Sequence, residues 1–413
     1  MSAPILVPTP PAWARELFTV GITGTNGKST TTTWIAAALA ARNAPDERGN
    51  SPVVRATTLG FFVGDEELAL ERSYDGFLEC MRLGYERGAR FAAIELTSEA
   101  LARGFAKAWP CRVGVFTNLS HDHLDAHGSP EHYLASKAQL FVSLEAGGIA
   151  VLNARDEACA LLAAVLPAGV RCVTYGVPSR GEACLDEDVV VSSVAIDWNG
   201  TTVECKIQGT AVSLSVRAIG EVHAENALAA WLGAEAAGIP RKDVLARLGR
   251  APAPPGRFEV VSDVPHVVVD YAHTPDALAR TLATARTLAS RVQGARVYVV
   301  FGAGGNRDRA KRQPMGEAAR EADVVLLTSD NPRGEDPKEI ARAIALGLVG
   351  HPDVRTVLDR AHAIRAVISE ARDEDVIVLC GMGHEREQIV GTRRIAFSDV
   401  DVAKEAVAAR PRT

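Results

Sequence analysis

Residues 18–42 set a pattern that recurs along the chain: an apolar run, FTVGIT, a glycine-bearing polar stretch, GTNGKST, then TTTWIAAALAAR with helical character. The spacing predicts strand, loop and helix. Further short apolar runs, FAAIEL (91–96), VGVFTN (113–118) and GGIAVLN (147–153), also end in polar or glycine residues, with helix-like stretches such as 131–145 between them. Strands alternating with helices predict a parallel sheet wrapped by helices. From 188 to 219 the texture changes to apolar–polar alternation around Asn199-Gly200, a hairpin signal that predicts a small antiparallel flap on the same domain. An alanine-rich helix is expected at 223–237. The proline-rich stretch RAPAPPGRF (250–258) reads as a domain boundary. Beyond it α/β alternation resumes in HVVVDYAHTP, a helix to about 290, RVYVVFGAGG, VVLLTSDNP and VIVLCGMGHE. Ligands of open α/β sheets sit at the carboxyl ends of such strands. The pattern therefore predicts an extension over 1–17, an α/β phosphate-binding domain over 18–254, and a Rossmann-like α/β domain over 255–413. No internal repeat is evident.

Composition narrows the class. With 413 residues, 47% hydrophobic and 23% charged, the chain can bury two or three cores. A net charge of −6 lacks the basic footprint of a nucleic-acid binder. No apolar run approaches the roughly 18 residues of a membrane helix. The first 18 residues carry four prolines and no basic start, a poor secretion signal. The seven cysteines are odd in number and form no C-x-x-C pair, as expected of reduced thiols in a cytoplasmic protein. The expectation is a cytoplasmic α/β protein with small-molecule partners and neither nucleic acid nor membrane; monomer and oligomer stay open.

The chemistry starts at Gly21-Ile-Thr-Gly-Thr-Asn-Gly-Lys-Ser29. Glycines here let backbone N–H groups approach phosphate, Lys28 adds a compact positive charge, and Ser29 can hold Mg²⁺. The strict G-x-x-x-x-G-K-[ST] register fails by one, because the first glycine is Gly21, while Gly24 and Gly27 stay in the turn. HDHLDAH (121–127) has the look of a zinc cluster, although no cysteine lies near it.

TGTNGKST, together with FTNLSHDHLDAHG, YLASKAQLF, PPGRFEVV, VDYAHTPDAL, FGAGGNRDRAKR, TSDNPRGEDP and GMGHE, resembles the Mur ligase family, most closely its MurE branch, from about residue 18 to 400. The resemblance implies an ADP-forming amide ligase that uses ATP and Mg²⁺ and passes through an acyl-phosphate. It implies an ATP-binding central domain over 18–254 and an amino-acid-binding ligase domain over 255–413. Gly24, Thr25, Asn26, Gly27, Lys28, Ser29 and Thr30 would then cradle the phosphates. Ser29 and Glu95 would hold one Mg²⁺, and His123 with a carbamate carried on Lys137 a second. Magnesium displaces the zinc reading; Asp122 and Asn118 share that loop, Asp125 reads as a loop or cap residue, and His121 and His127 as surface. Asn226, Arg257, Asp270 and His273, beside Tyr271, would contact ATP, with a hinge near 251–257. Asp330, Asn331 and Arg333 match a motif associated with meso-diaminopimelate, whose distal carboxylate suits a guanidinium fork. Gly381 and Glu385 would hold the distal amino-acid end, and Ser98 the acceptor side. Lysine-adding relatives lack that arginine. On their own, Lys137 is a helix-surface lysine, Asn226 a helix cap, Arg257 a linker charge and Asp-Asn-Pro a turn.

Three departures bear on the acceptor. The family's usual N-terminal UDP-binding domain has no counterpart ahead of residue 18, so the acceptor is expected to be a carboxylate other than the family's UDP-linked dipeptide, with a short MurE-like enzyme acting on that dipeptide as the alternative. Glu99 stands where the branch has a histidine, and TTLGFFVGDEELALERSYDG (57–76) where a T-T-P loop is expected. Asn306 and Met382 replace a common aspartate and lysine. Two readings of other classes compete, a non-catalytic ATP-binding scaffold and a plain P-loop ATPase or kinase. The scaffold predicts decay of Lys28, Glu95, His123 or Lys137, and all four are present. The second-domain motifs would have no purpose in an ATPase.

Overall fold

A computed structural model describes residues 8–42, 51–120, 129–252 and 254–410. Its first unit comprises residues up to 195 with 201–217 and 222–252; the second comprises 196–200, 218–221 and the chain beyond 253.

The first unit is built on β1 (Phe18–Thr23), β2 (Val54–Thr57), β3 (Gly60–Val63), β4 (Glu66–Leu68), β5 (Phe91–Glu95), β6 (Val113–Phe116), β7 (Ile149–Asn153), β8 (Arg171–Tyr175), β9 (Val189–Asp197), β10 (Gly200–Ile207) and β11 (Thr210–Val216). They form one eleven-stranded sheet in the order β11-β10-β9-β8-β7-β6-β1-β5-β2-β3-β4. β1 lies between β5 and β6, parallel to both. These central strands are mostly apolar and buried except at Phe18 and Glu95, as parallel strands covered on both faces require. The expected antiparallel flap is real but continues this same sheet, and its strands alternate buried and exposed positions. At the opposite edge β2, β3 and β4 form an antiparallel meander through the 57–76 stretch.

The helix Lys28–Leu39 is buried on nearly every face, its first half through Ser29, Thr30, Thr31 and Thr32 and its second through Trp34, Ile35, Ala38 and Leu39. The helix Glu221–Ala236 is buried along most of its length too. Gly233 allows its close approach, because a Cβ there would lie 2.9 Å from Ile35 and 3.1 Å from Val115. Residues of the expected extension join this unit: Trp13 stacks on Tyr85 at 5.4 Å, and Ala14 and Leu17 enter its core.

The second unit carries a six-stranded sheet, in the order β12-β13-β17-β14-β15-β16, from β12 (Glu259–Asp263), β13 (His266–Asp270), β14 (Val297–Phe301), β15 (Val324–Leu327), β16 (Val354–Thr356) and β17 (Val376–Cys380). Alternate residues of each central strand feed two cores. Val297, Val299 and Phe301 face one, Tyr298 and Val300 the other. A two-stranded ribbon, β18 (Glu387–Val390) with β19 (Arg393–Ala396), stands beside it.

All seven cysteines are free thiols. Five are buried, Cys172 is half-buried and Cys184 is exposed. Burial pushes the thiols of Cys80, Cys111 and Cys159 up to about 12, and those of Cys172 and Cys205 to about 11. Among the described residues, no helix is long and apolar enough to cross a membrane.

Candidate active site

Three neighbouring strand ends build the first constellation. β1 runs into the glycine loop, β5 ends on Glu95 opposite Ile22, and β6 leads into Thr117 and Asn118. The loop is stitched to the end of β6. Thr25 N donates to Asn118 O (2.7 Å), Asn26 N to Asn118 Oδ1 (2.9 Å), and Asn118 Nδ2 and Thr117 Oγ1 donate back to Asn26 O at 3.1 and 2.7 Å. Asn118 is thus bound to the loop on both sides. Gly24 takes φ +148°, and a Cβ there would sit 1.9 Å from Thr117 Oγ1. Gly27, at φ +83°, precedes the helix Lys28–Leu39 without a side-chain cap, and its close neighbour is Asn226, whose Oδ1 would lie 2.1 Å from a Cβ. The first N–H groups of a helix have no intrahelical acceptor, so this end presents donors and a positive dipole to an anion. Lys28 Nζ folds over the loop onto Thr25 O at 2.8 Å. Thr30, in the first turn, is buried.

Ser29 Oγ donates to Glu95 Oε2 at 2.8 Å. Thr58 completes the cluster; its N donates to the same oxygen at 3.1 Å and its Oγ1 lies 3.3 Å from it. A hydroxyl and a carboxylate meeting beside a phosphate cradle are the hard oxygen donors Mg²⁺ takes, with substrate phosphates and water filling the remaining positions. Among the described residues no group of three or more His, Cys, Asp or Glu could hold a metal ion.

Lys137, on the helix Pro130–Val142, is not on the helix surface as its type alone suggests. It is 1% exposed, and its Nζ donates to Gly24 O at 2.6 Å above the Tyr133 ring (4.3 Å). Buried against the phosphate loop, it fits a group that acts at the phosphates. His123, Asp122, His121, Asp125 and His127 lie outside the described residues. Ser98 is buried at the start of the helix Ser98–Ala102.

In the second unit Arg257 lies over the Tyr271 ring (4.7 Å), which also neighbours His273 and His384. His273 Nδ1 is 2.8 Å from Tyr271 O. The Asp270 carboxylate points inward, accepting from Phe258 N (2.7 Å), Ala272 N (2.8 Å) and Thr281 Oγ1 (3.1 Å), so it orders the loop that carries Tyr271 and His273. Burial raises its pKa, against the pull of Arg257 and those donors.

The loops after β14, β15 and β17 interlock. Gly305 packs on Pro332, whose O would be 1.9 Å from a Cβ, and its N donates to Asn331 O (2.9 Å). Asn306 adopts φ +52° and its Oδ1 accepts from Gly334 N (2.9 Å), which explains an asparagine at that position. Asn331 reaches Glu385 Oε2 at 2.6 Å and accepts from Ile389 N at 2.7 Å. Arg333 takes φ +50°, its backbone held by Ile389 O and Gly391 N, and its Nη1 bonds Gly305 O (3.1 Å) and Asn331 O (3.3 Å). Gly381, at φ +108°, abuts Asp330; a Cβ would be 2.5 Å from Oδ2. Met382 is sealed inside. Burial, and then the adjacent Asp330, raise the Glu385 pKa, against the Asn331 hydrogen bond and the charges of Arg333 and Arg360. Two carboxyls and an arginine on one rim are complementary to a ligand carrying both an ammonium and a carboxylate. Sequence reasoning passed over Thr58, Gln388, whose Nε2 holds Asp330 O at 2.5 Å, and Arg360. Each is an ordinary polar residue whose partner is distant in sequence.

Residues 22–234 match the family described as Mur ligase middle domain, and residues 256–383 that described as Mur ligase, glutamate ligase domain. A UDP-N-acetylmuramoyl-L-alanyl-D-glutamate--2,6-diaminopimelate ligase from Synechococcus elongatus is 38% identical over 416 residues, covering 96% of this chain and 78% of the relative. The enzyme of the same name from Geobacillus thermodenitrificans is 36% identical over 417 residues, covering 96% and 80%. A solved structure of a ligase of that name superposes with TM-score 0.65 at 31% identity, covering 95% of this chain and 78% of its own. Folylpolyglutamate synthase of Mycobacterium tuberculosis, complexed with ADP and AMPPCP, shares the fold with TM-score 0.69 at 18% identity, covering 97% and 93%.

Proposed function

The chain belongs to the Mur ligase family, and from that premise we propose that it joins meso-diaminopimelate, or an amino acid of the same two-ended charge, to a carboxylate acceptor at the expense of ATP. It is a carbon–nitrogen ligase, and its family depends on ATP and Mg²⁺. The observation that carries the reading is the convergence of Lys28, the Ser29–Glu95 pair (2.8 Å) and buried Lys137 on one glycine loop. The UDP-N-acetylmuramoyl-L-alanyl-D-glutamate named for the relatives is the first acceptor to test. Residues 18–254 are assigned to ATP and 255–413 to the amino acid.

A carboxylate oxygen is too poor a leaving group for an amine to displace in water. Phosphorylation by the γ-phosphoryl of ATP, with ADP leaving, converts it to phosphate, which the neutral amine then expels from the acyl carbon. Such a reaction needs held phosphates and neutralised charge rather than a protein nucleophile. Gly24, Thr25, Asn26, Gly27 and Thr30 shape the cradle, with Asn118 bracing it. Lys28 neutralises phosphate charge. Ser29 and Glu95 would hold one Mg²⁺, and His123 with a carbamate on Lys137 a second; these ions supply Lewis acidity at the transferring oxygens. The carbamate forms when the neutral Lys137 amine adds to CO₂ and releases a proton, which turns a cation into a carboxylate-like ligand. Asn226, Arg257 and His273 contact the nucleotide, and Asp270 holds that loop. Ser98 lies on the acceptor side. Asp330, Asn331, Arg333, Gly381 and Glu385 hold the amino acid.

The test is phosphate release by purified protein with ATP, Mg²⁺ and UDP-N-acetylmuramoyl-L-alanyl-D-glutamate, with meso-diaminopimelate, lysine or no amino acid, and mass analysis of products. A tripeptide formed with meso-diaminopimelate alone is expected. ATP bound without any product would move the search to other acceptors, and failure to bind ATP would end the ligase reading.

The amino-acid site should also be acid-sensitive. The folded Glu385 pKa lies above the ordinary carboxylate value, and only the ionised form pairs with an ammonium. Affinity is therefore full above that raised pKa and falls about tenfold per pH unit below it. KM for the amino acid measured against pH should rise correspondingly below that pKa in the native enzyme, and Glu385→Gln should flatten the rise.

A further inference from the structure

We propose that Arg360 is the positioning residue of the amino-acid loops, an inference that rests on the reading of 330–333 and 381–385 as the amino-acid site. Arg360 opens the helix Arg360–Glu370, capped by Asp359, and its side chain is completely buried. Its guanidinium forks onto Asp399 through Nε to Oδ1 (2.7 Å) and Nη2 to Oδ2 (2.6 Å). The same Nη2 donates to Cys380 O (2.9 Å), and Nη1 reaches Ser329 O at 3.4 Å. Asp399 is the first residue of the helix Asp399–Ala408 and is itself sealed.

The two carbonyls matter more than the ion pair. Ser329 immediately precedes Asp330, and Cys380 immediately precedes Gly381. One planar group therefore fixes the roots of both loops, each a single residue before it turns into the site. The loops also touch, since a Cβ on Gly381 would collide with Asp330. A buried ion pair can often be exchanged for apolar packing without loss of stability. The Cys380 carbonyl cannot be satisfied in that way, the Ser329 carbonyl would keep only Gln388 Nε2 at 3.4 Å, and a lysine, one point charge on a flexible stem, cannot reproduce the fork. Loss of the fork should therefore loosen the site before it loosens the fold.

The experiment compares native enzyme with Arg360→Lys, which keeps the charge, and with the double variant Arg360→Met/Asp399→Leu, which leaves no lone buried ion. Hydrogen exchange is followed at the amides of 328–334 and 380–390. KM is measured separately for meso-diaminopimelate and for ATP. In both variants we expect those amides to exchange at least about tenfold faster than in native enzyme while the core strands keep their protection. We also expect KM for the amino acid to rise about tenfold or more with KM for ATP within about twofold. Native exchange in the two segments, or equal rises in both KM values, would overturn the proposal. So would a double variant with native amino-acid KM. Native protein that binds no diaminopimelate would instead overturn the amino-acid reading, and the exchange arm would still decide whether Arg360 sets the loops.

Discussion

Replacing Lys137 by alanine is expected to reduce ligation about a thousandfold, the scale of deleting one preorganised charged group from a water-poor site. The reason lies in its placement: it is 1% exposed and bonded to the carbonyl of Gly24, where bulk water alone does not replace its charge. Binding of ATP should change far less, because Lys28 and the helix end remain. The form in which Lys137 works is separable. As a carbamate it supplies carboxylate oxygens, so high acetate or bicarbonate should partly restore Lys137→Ala, Lys137→Arg should stay inactive, and native activity should decline in CO₂-free buffer. Retained activity in Lys137→Arg with no rescue by acetate would show a plain ammonium at work. Steady-state phosphate release with product mass distinguishes these outcomes.

Arg333→Ala is expected to raise KM for meso-diaminopimelate roughly a hundredfold, within the range for cutting one member of a partly buried charge-assisted pair. Its Nη1 is engaged with Gly305 and Asn331 carbonyls, and in the proposed site the remaining N–H donors of the guanidinium would take the substrate's distal carboxylate. Lysine, which has no distal carboxylate, should be used as poorly by the variant as by the native enzyme, so discrimination between the two amino acids collapses. Arg333→Lys should not restore it, because a point charge lacks the bidentate geometry. Should KM rise alike for both amino acids, Arg333 would be supporting the loop rather than reading the substrate. Its left-handed backbone, φ +50°, makes that control necessary.

What the sequence disclosed was local. The phosphate loop, its flanking strand and helix, and the parallel strands were legible because buried apolar runs ending in glycine and polar residues are written contiguously. The meander β2–β4 was not, since its strands of three and four residues are too short for any period to emerge. Nor was the union of the antiparallel strands with the main sheet, which depends on a parallel pairing as slight as Tyr175 with Val189. The assignment of 196–200 and 218–221 to the second unit has no trace in a linear pattern. In the proposed site, Lys28, Ser29 and Glu95 were singled out through resemblance, and the structure brings Glu95, at the end of β5, onto the hydroxyl of Ser29 in the first turn of the helix Lys28–Leu39. Arg360 and Asp399 are 39 positions apart and each looks like a solvated charge at a helix start. Only tertiary packing turns them into a sealed pair.

The sealing of the thiols has a practical side. With six of seven cysteines wholly or partly covered and Cys184 alone exposed, the native chain carries its own attachment point for a maleimide dye or spin label. Cys184 is tied to Ala154 O through its backbone N, which anchors the exposed residue just past the end of β7. It lies four residues beyond Arg180, whose partner Glu225 adjoins Asn226 beside the phosphate loop. A reporter there needs no engineered residue, and a change in its signal on adding ATP would be a test of the proposed nucleotide site.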